Sequence, residues 1–425
     1  MADLRCDIAG VKSPNPFWLA SAPPTDKEYN VVRAFKAGWG GVVWKTLGED
    51  PPVVNVSSRY GAMSYNGTRM AGFNNIELIT DRPLEVNLRE IKQVKRDWPD
   101  RAVVVSLMVP CEEENWRSIL AAVEDTGADG VELNFGCPHG MSERGMGSAV
   151  GQVPEYIEMV TRWCKAHSRM PVFVKLTPNV TNILGPARAA KKGGADAVSL
   201  INTINSIMSV DLDVMAPTPV VGGKGTHGGY CGPAVKPIAM HMVAEIARDP
   251  ECAGLPISAI GGISNWRDAA EFMTLGAGSV QVCTAAMHHG FKIVEDMTDG
   301  LGYWMDEKGY ANLGAFRGAA VPNVTDWQYL DINYEIVARI DQDLCIKCGL
   351  CHIACEDTSH QAIAAQKQDG ARRYEVIDEE CVGCNLCMHV CPVEGCISMV
   401  EVDNGKGYLN WKEDPRNPMN QKAAE

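Results

Sequence analysis

A chain of 425 residues is too long for one ordinary domain and suits one large domain followed by a small one. Its 46% hydrophobic and 22% charged residues are typical of a globular protein, and no run of about 18 apolar residues could cross a bilayer. A net charge of −14 argues against nucleic-acid binding, which favours basic surfaces.

Eight short apolar runs rich in β-branched residues occur in the first three hundred residues, and a helix-like stretch follows each run. This number and spacing are typical of a (β/α)₈ barrel, and continuous apolar runs suit strands buried on both faces. We therefore predict an α/β fold whose first domain is a TIM barrel. In chain order, the predicted strands are Pro16–Ala22, Gly41–Thr46, Ala102–Met108, Gly130–Phe135, Val172–Thr177, Ala197–Thr203, Pro256–Gly262 and Ser279–Thr284.

We predict that the barrel spans residues 1–310 and that a linker rich in Gly, Asn and Pro spans 311–334. A small α+β domain at 335–405 and a polar tail at 406–425 complete the chain. Two barrel connections, from about residue 47 to 82 and from 205 to 232, are longer than a barrel requires. Because both follow a strand, we expect them to lie on the catalytic face and to carry function or act as lids.

Eight of the sixteen cysteines form two C-x₂-C-x₂-C-x₃-C runs. The pattern is typical of bacterial ferredoxins with two [4Fe-4S] clusters, in which the fourth cysteine of each run ligates the other cluster. A pair of structural zinc sites is the alternative, although zinc ribbons rarely use a triplet plus one. We expect one cluster on Cys345, Cys348, Cys351 and Cys391 and the other on Cys381, Cys384, Cys387 and Cys355.

Clustered cysteines indicate metal ligation in a reducing compartment rather than disulfide bonds. The first residues, MADLRCDIAG, contain no basic stretch followed by an apolar core, so we expect no secretory signal. We therefore expect a cytoplasmic protein with no membrane segment.

Two clusters form a one-electron relay, and the barrel should then hold a cofactor that converts single electrons into a hydride, for which flavin is suited. In barrels that bind phosphorylated ligands, the loops after strands seven and eight form the phosphate site. Those loops contain Gly261, Gly262 and Thr284, and Gly232 can supply a further backbone amide. The sequence therefore predicts the phosphate end of a flavin here.

Lys45 and Lys175 end the second and fifth predicted strands, inside apolar runs. A lysine at the mouth of a barrel strand would stabilise the negative charge that develops at flavin N1 on reduction. The alternative is a lysine that extends to the surface at the barrel rim.

Asn134 ends the fourth predicted strand, and Cys137 follows in a glycine-rich loop that continues to Gly151. A cysteine on such a loop can give a proton to a substrate carbon while the flavin gives a hydride. The alternative is an inert buried thiol. The position of Cys137 at the catalytic end of a strand favours a catalytic role.

These residues lie in phrases that carry a family resemblance: NPFWLASAPP, KTLG, NIELI, NFGCPHGMSERGMG, VKLTPNVT, INT and QVCTA. From residue 3 to about 400, the chain resembles the pyrimidine-reducing iron–sulfur flavoprotein subunit of bacterial NAD-dependent dihydropyrimidine dehydrogenases. The barrel alone is similar to dihydroorotate dehydrogenases. The loop around Cys137 separates these two families best.

The resemblance implies roles for individual residues. Cys137 would be the general acid, and Gly136 is a departure, because the animal enzyme has a serine there. The pyrimidine would be bound by Asn75, Asn134, Asn202 and Thr203, with Glu77 nearby. FMN would be held by Ser21, Lys45, Thr46, Lys175, Gly232, Ile260, Gly261, Gly262, Cys283 and Thr284.

The implied reaction is the reversible reduction of the 5,6 double bond of uracil or thymine in pyrimidine catabolism. FMN N5 would give a hydride to C6, and Cys137 would give a proton to C5. The chain contains no convincing G-x-G-x-x-G after a first strand, so NAD(H) would be used only by an NADH-oxidising FAD/iron–sulfur partner subunit. The barrels would form a dimer within a hetero-oligomer.

Two alternatives remain open from the sequence. One is a dihydroorotate dehydrogenase-like enzyme, or another cyclic-amide oxidoreductase, with a fused ferredoxin domain. The other is an electron-transfer subunit whose barrel is a non-catalytic docking scaffold.

Overall fold

The computed structural model of the protein describes residues 2–48, 53–65, 67–368 and 371–421. The chain forms two compact units, Met1–Val324 and Thr325–Glu425, and the division between them falls inside the predicted linker. Residues 422–425 of the predicted tail lie outside the described residues. Every helix in the described ranges is too short or too polar to cross a membrane.

The first unit contains a closed barrel of eight parallel strands, which confirms the predicted fold class. The strands follow chain order around the barrel, and the eighth pairs with the first. Every strand residue is buried, because helices cover the outer face of the sheet. The barrel strands are β1 (Phe17–Leu19), β2 (Gly41–Leu47), β3 (Ala102–Leu107), β4 (Gly130–Asn134), β5 (Val172–Lys175), β6 (Ala197–Leu200), β7 (Ile257–Ile260) and β8 (Ala277–Val282).

Amphipathic helices follow the strands and pack their apolar faces on the barrel. The first ends at Gly38, whose φ of 114° turns the chain out of the helix. The helix after β7 begins with a capping box formed by Asn265 and Asp268. The covering helices are Glu28–Ala37, Leu84–Asp97, Glu113–Glu124, Pro154–His167, Leu184–Lys192, Lys236–Arg248, Trp266–Thr274, Thr284–His289 and Ile293–Lys308, and the short helix Ser148–Gly151 precedes Pro154–His167.

A short hairpin of Cys6–Ile8 and Val11–Ser13 packs at the amino-terminal end of the barrel strands. The Cys6 thiol donates to the carbonyl of Gly278, at the start of β8, over 3.2 Å. Ile8 and Val11 are buried in the same apolar core as the strands. The amino-terminal end of the barrel is therefore covered, and its carboxyl end is left for the site.

The two long connections form a sheet of their own, which the sequence analysis did not predict. The connection after β2 makes a hairpin of Tyr60–Tyr65 and Thr68–Asn75. The connection after β6 adds Gly228–Cys231 and Ile204–Ser206 to the same antiparallel sheet. We call this four-stranded structure the inserted sheet. A smaller hairpin of Val210–Asp211 and Ala216–Pro217 lies within the second connection.

The second unit is a small α+β fold around the cysteines, as predicted. Ile336–Ile340 pairs antiparallel with Ile397–Glu401, and Ile363–Gln368 pairs with Ala371–Val376. Helices Leu350–Glu356 and Leu386–Val390 begin inside the two cysteine runs. Its buried cluster is small, and domains of this size usually need a metal or disulfide in addition to an apolar core. The buried residues are Ala338, Cys351, Ile363, Tyr374, Cys387, Cys396 and Ile397.

The described part of the predicted polar tail packs into the second unit. Asn410 forms an isolated β-bridge with Asp331, and Trp411 lies 6.3 Å from Trp327 between ring centres. Asp414 is buried, and a final helical turn spans Pro418–Gln421. The segments on either side of the cysteine domain therefore pair with each other.

Candidate active site and cluster sites

A cavity opens at the carboxyl ends of the barrel strands, where β/α barrels place their active sites. The inserted sheet contributes part of its wall. Among the predicted barrel site residues, Gly136 alone does not line this cavity, because it lies behind Asn202. The structure places the other predicted residues around it: Ser21, Lys45, Thr46, Asn75, Glu77, Asn134, Cys137, Lys175, Asn202, Thr203, Gly232, Ile260, Gly261, Gly262, Cys283 and Thr284.

Both predicted lysines are buried, at 5% exposure each, so the alternative of lysines extending to the surface is wrong. The Lys45 ammonium lies 2.7 Å from a Glu77 carboxylate oxygen and 3.6 Å from an oxygen of Asp26. Burial raises the pKa of the Asp26 carboxyl, and the nearby Lys45 charge opposes that shift. Lys175 lies 3.6 Å from Glu132. Each lysine of the cavity wall therefore has a carboxylate partner.

Four amide and hydroxyl side chains at the barrel mouth form a connected hydrogen-bond network. Asn202 donates to the Asn134 side-chain oxygen over 2.8 Å, and Asn134 donates to the Thr46 hydroxyl over 3.0 Å. The Thr46 hydroxyl also lies within hydrogen-bond distance of Ser21. Asn75 reaches the cavity from the inserted sheet and donates to the Gly229 carbonyl. Since an amide both donates and accepts, these groups can recognise neutral ligands with alternating C=O and N–H groups.

Cys137 lies buried in the glycine-rich loop after β4. Its thiol donates to the His139 carbonyl over 3.4 Å, and burial raises its pKa to about 11. The loop folds back on itself: Ser148 N–H donates to the Cys137 carbonyl over 3.0 Å. A side chain at Gly147, whose φ is +57°, would collide with that carbonyl. The thiol is therefore held protonated at the cavity wall at neutral pH.

The loops after β6 and β7 meet in a glycine cradle. Gly261 and Gly262 have φ values of +135° and +72°, and a Cβ on Gly262 would lie 2.7 Å from the Lys236 Cβ and 3.0 Å from the Gly232 carbonyl oxygen. Close backbone approach of this kind is what a phosphate-binding loop requires. Thr284, at the start of the helix after β8, faces the cradle beside Gly232.

The cavity also fits the ring end of a flavin. Gln281 lies in its wall, and its side-chain oxygen is buried without a hydrogen-bond partner in the structure. A bound ring with an N–H group would satisfy it. Together with the glycine cradle and the two lysines, this unpaired acceptor makes the residues present a good match for FMN.

Several residues of the site were missed by the sequence analysis. Tyr60 and Tyr230 line the cavity from the inserted sheet, and the Tyr60 hydroxyl donates to Glu77. His139 lies beside Cys137, and its ring contacts the Glu77 carbonyl over 3.0 Å. Gln281 interrupts the apolar run of β8, and a polar residue in a buried strand was the available signal for it.

The eight cysteines of the two runs line two separate cavities. Cys345, Cys348 and Cys351 share one with Cys391, and this cavity is also lined by buried Cys396. The other is lined by Cys381, Cys384, Cys387 and Cys355. Each run therefore lends its fourth cysteine to the other cavity, in the pairing predicted from the spacing.

Cavities between cysteines suit clusters better than single zinc ions. A tetrahedral zinc site would draw four sulfurs to about 2.3 Å from one point. Within residues 2–48, 53–65, 67–368 and 371–421, no three His, Cys, Asp or Glu side chains converge in the way that a single ion requires. A cluster brings its own sulfides and fills the space between its ligands. The cysteine arrangement therefore fits iron–sulfur clusters.

Comparison with known proteins identifies the family. The NAD-dependent dihydropyrimidine dehydrogenase subunit PreA of Escherichia coli strain K12 is 42% identical to this chain over 406 residues, which cover 95% of this chain and 97% of that protein. The chain belongs to the dihydropyrimidine dehydrogenase family. The chloroplastic dihydropyrimidine dehydrogenase (NADP(+)) of Arabidopsis thaliana is 40% identical over 346 residues, 79% of this chain and 80% of the plant protein.

The barrel and the cysteine domain of this dihydropyrimidine dehydrogenase family member each match a separate family. The dihydroorotate dehydrogenase family matches residues 3–305, and the 4Fe-4S dicluster domain matches residues 338–399. For the fold alone, ligand-free DHODH of Eimeria tenella superposes with a TM-score of 0.63 at 20% identity, covering 75% of this chain and 92% of that chain. The predicted family resemblance is confirmed: the chain is an oxidoreductase of the dihydropyrimidine dehydrogenase type, with a flavoenzyme barrel and an iron–sulfur domain.

Proposed function

We propose that the chain catalyses the reversible reduction of uracil or thymine to the 5,6-dihydropyrimidine. The observation that carries this proposal is a buried, protonated thiol, Cys137, in the wall of the cavity that also gathers three asparagine amides and two paired lysines. FMN is the cofactor that the glycine cradle and the unpaired Gln281 oxygen fit, and when bound it would supply the hydride to C6.

The substrate side of the cavity favours a neutral ring. Uracil presents carbonyl and N–H groups in alternation, which the amides of Asn75, Asn134 and Asn202 can pair with. Dihydroorotate, in contrast, carries a carboxylate that needs a cation. Lys45 and Lys175 are already paired with Glu77 and Glu132, respectively. A pyrimidine without a carboxylate therefore suits the site better than dihydroorotate does.

Cys137 is proposed as the general acid in the reductive direction. With its pKa raised to about 11, the thiol keeps its proton at neutral pH and can give it to C5 of the pyrimidine. In the oxidative direction, the same sulfur must first lose its proton, so burial disfavours that direction near neutral pH. The asparagine network would orient the ring so that C5 faces the thiol.

We further propose that the two cysteine cavities hold two [4Fe-4S] clusters and that electrons arrive from a separate NADH-oxidising FAD/iron–sulfur subunit. The 4Fe-4S dicluster match and the PreA relative, which is named as a subunit, support this proposal. The barrels would dimerise within the hetero-oligomer, and the unpaired thiols suit the reducing cytoplasm.

The decisive experiment measures iron, sulfide and flavin in the purified chain and then tests the reduced protein with uracil and thymine and the oxidised protein with dihydroorotate. Cys137→Ala should bind FMN and accept electrons from a chemical donor, yet turn over uracil about 10²–10⁴-fold more slowly, the usual contribution of a general acid. Cys164→Ala is the matched control, because Cys164 is also a buried thiol but lies in a helix outside the cavity.

Three outcomes would contradict the proposal. Equal turnover by the Cys137 variant would remove the thiol from the reaction. Activity with dihydroorotate in place of uracil would assign the chain to the other enzymatic alternative. A chain that contains clusters but never binds flavin would be an electron-transfer subunit with a docking barrel.

A further inference from the structure

We infer that Glu132 is a positioning residue that acts through Lys175 and Gln281. Its carboxylate sets the net charge beside the Lys175 ammonium and the orientation of the Gln281 amide, the two groups that a bound flavin would contact. The inference rests on the proposed function only in requiring FMN in the barrel cavity. The sequence analysis gave Glu132 no role, although a carboxylate in the middle of the apolar run GVELN is a signal that could have found it.

Glu132 lies inside the barrel with no solvent exposure. The groups around it are donors: the Ser199 hydroxyl at 2.7 Å and the Gln281 amide at 3.1 Å both donate to one carboxylate oxygen, Oε2. The other oxygen, Oε1, lies 3.6 Å from the Lys175 ammonium and has no hydrogen-bond partner. A carboxylate buried this deeply needs a charged partner, and Lys175 is in place to be that partner.

The same network orients Gln281. Its amide nitrogen donates to both Glu132 and the Ser258 hydroxyl, each over 3.1 Å, and Ser279 in turn donates to Ser258 over 2.8 Å. Because the nitrogen donates to these two groups inside the barrel, the side-chain oxygen of Gln281 is left as a buried acceptor in the cavity wall. Glu132 therefore fixes a donor, Lys175, and an acceptor, Gln281, on the same side of the cavity.

The net charge of the Lys175–Glu132 pair determines the expected effect on the flavin. While Glu132 is ionised, the Lys175–Glu132 pair is neutral overall. Removing the carboxylate charge leaves one uncompensated positive charge at the cavity wall, which would favour the reduced, anionic flavin over the oxidised, neutral one. In a site of low dielectric, one unit charge changes such a preference by at least about tenfold.

The test is a redox titration of FMN in the full chain against a reference dye, with flavin bleaching separated from cluster absorption by band shape. Glu132→Gln should raise the ratio of the FMN dissociation constants, oxidised over reduced, by at least about tenfold, and Lys175→Met should lower it by at least about tenfold. In the double variant the charge is balanced again, so the two effects should cancel and the ratio should return to within about threefold of the native value.

Ser199→Ala is the matched control, since it removes a hydrogen bond to the same carboxylate oxygen but no charge. Its ratio should stay within about threefold of the native chain, and Glu132→Asp, which keeps the charge, should do the same. A native ratio in Glu132→Gln, or a ratio in the double variant as low as in Lys175→Met alone, would overturn the inference.

Two further results keep the inference testable and separate it from the proposed function. If Glu132→Gln does not accumulate as folded protein, Lys175→Met still decides: an unchanged ratio would show that no charge at Lys175 reaches the flavin. A native chain that lacks flavin contradicts the proposed function itself. A chain that contains FMN and reduces uracil, but shows native ratios in these variants, contradicts only the role of Glu132.

Discussion

Gly136 gives the sharpest prediction of this structure, because a single methyl group there should disturb substrate recognition without touching the cavity directly. A Cβ at this position would lie 2.3 Å from the Cβ and 2.4 Å from the amide nitrogen of Asn202. The backbone of Gly136 is outside the left-handed region, so alanine suits its conformation. The effect of Gly136→Ala should therefore come from the collision with Asn202 alone.

The size of the effect follows from the contact distance. Carbon atoms in contact lie about 3.5–4.0 Å apart, so Asn202 must withdraw by more than about 1 Å. Its hydrogen bond to Asn134, now 2.8 Å, would then be lost. A displacement of about 1 Å in an active site can cost about 10²-fold in rate, and overpacking of this kind costs about 1–3 kcal/mol of stability.

The assay is kcat/KM for uracil together with the thermal unfolding midpoint. Gly302→Ala is the control: Gly302 lies in the helix Ile293–Lys308, and its Cβ would meet nothing within 4 Å. That variant should keep full activity and gain about 0.5–1 kcal/mol, since alanine is the better helix former. A Gly136→Ala enzyme with native kcat/KM and native stability would refute the steric reasoning.

Four other substitutions test three separate parts of the structure. Cys391→Ala and Cys355→Ala should each lower the iron content from about eight to about four per chain, and spectroscopy should show that different clusters are lost; loss of the same cluster in both would disprove the crossed pairing. Gly262→Ala should weaken FMN retention at least about tenfold by equilibrium dialysis, because the methyl group fills the glycine cradle, and unchanged retention would place the phosphate elsewhere. Two hydrogen bonds from Arg188 lower the pKa of Asp249 to about 2, so its carboxylate stabilises the fold above about pH 4 and this contribution is lost as the pH falls toward 2. Asp249→Asn should cost about 1–3 kcal/mol in urea unfolding at pH 7 and flatten that pH dependence; a native pH profile would contradict this.

The barrel and most of its site were predictable because their signals are local. Each strand is a short apolar run, and Lys45, Asn134 and Lys175 stand where such runs end, at the mouth of the barrel. The crossed pairing of the cysteines likewise follows from spacing within two short runs. These features require no knowledge of which distant segments meet.

The inserted sheet could not be predicted for the opposite reason. Asn75 pairs with Gly229 across more than 150 residues, and neither segment has the alternating apolar pattern of an independent strand. The ion pair of Lys45 with Glu77 depends on the same long-range fold, so its geometry was invisible from the sequence. Side-chain pairs between an insertion and the barrel are set by tertiary packing rather than by local propensity.

The inserted sheet also makes two segments that are distant in sequence depend on each other's side chains for packing. Asn75 comes from one connection and Thr203 borders the other, and between them Gly229 leaves no space for a side chain, since its Cβ would lie 2.1 Å from the Thr203 hydroxyl oxygen. Anyone who grafts a new substrate preference onto this scaffold must therefore exchange both connections as one cassette. Exchanging either connection alone would leave its strands in the inserted sheet without complementary strands to pack against.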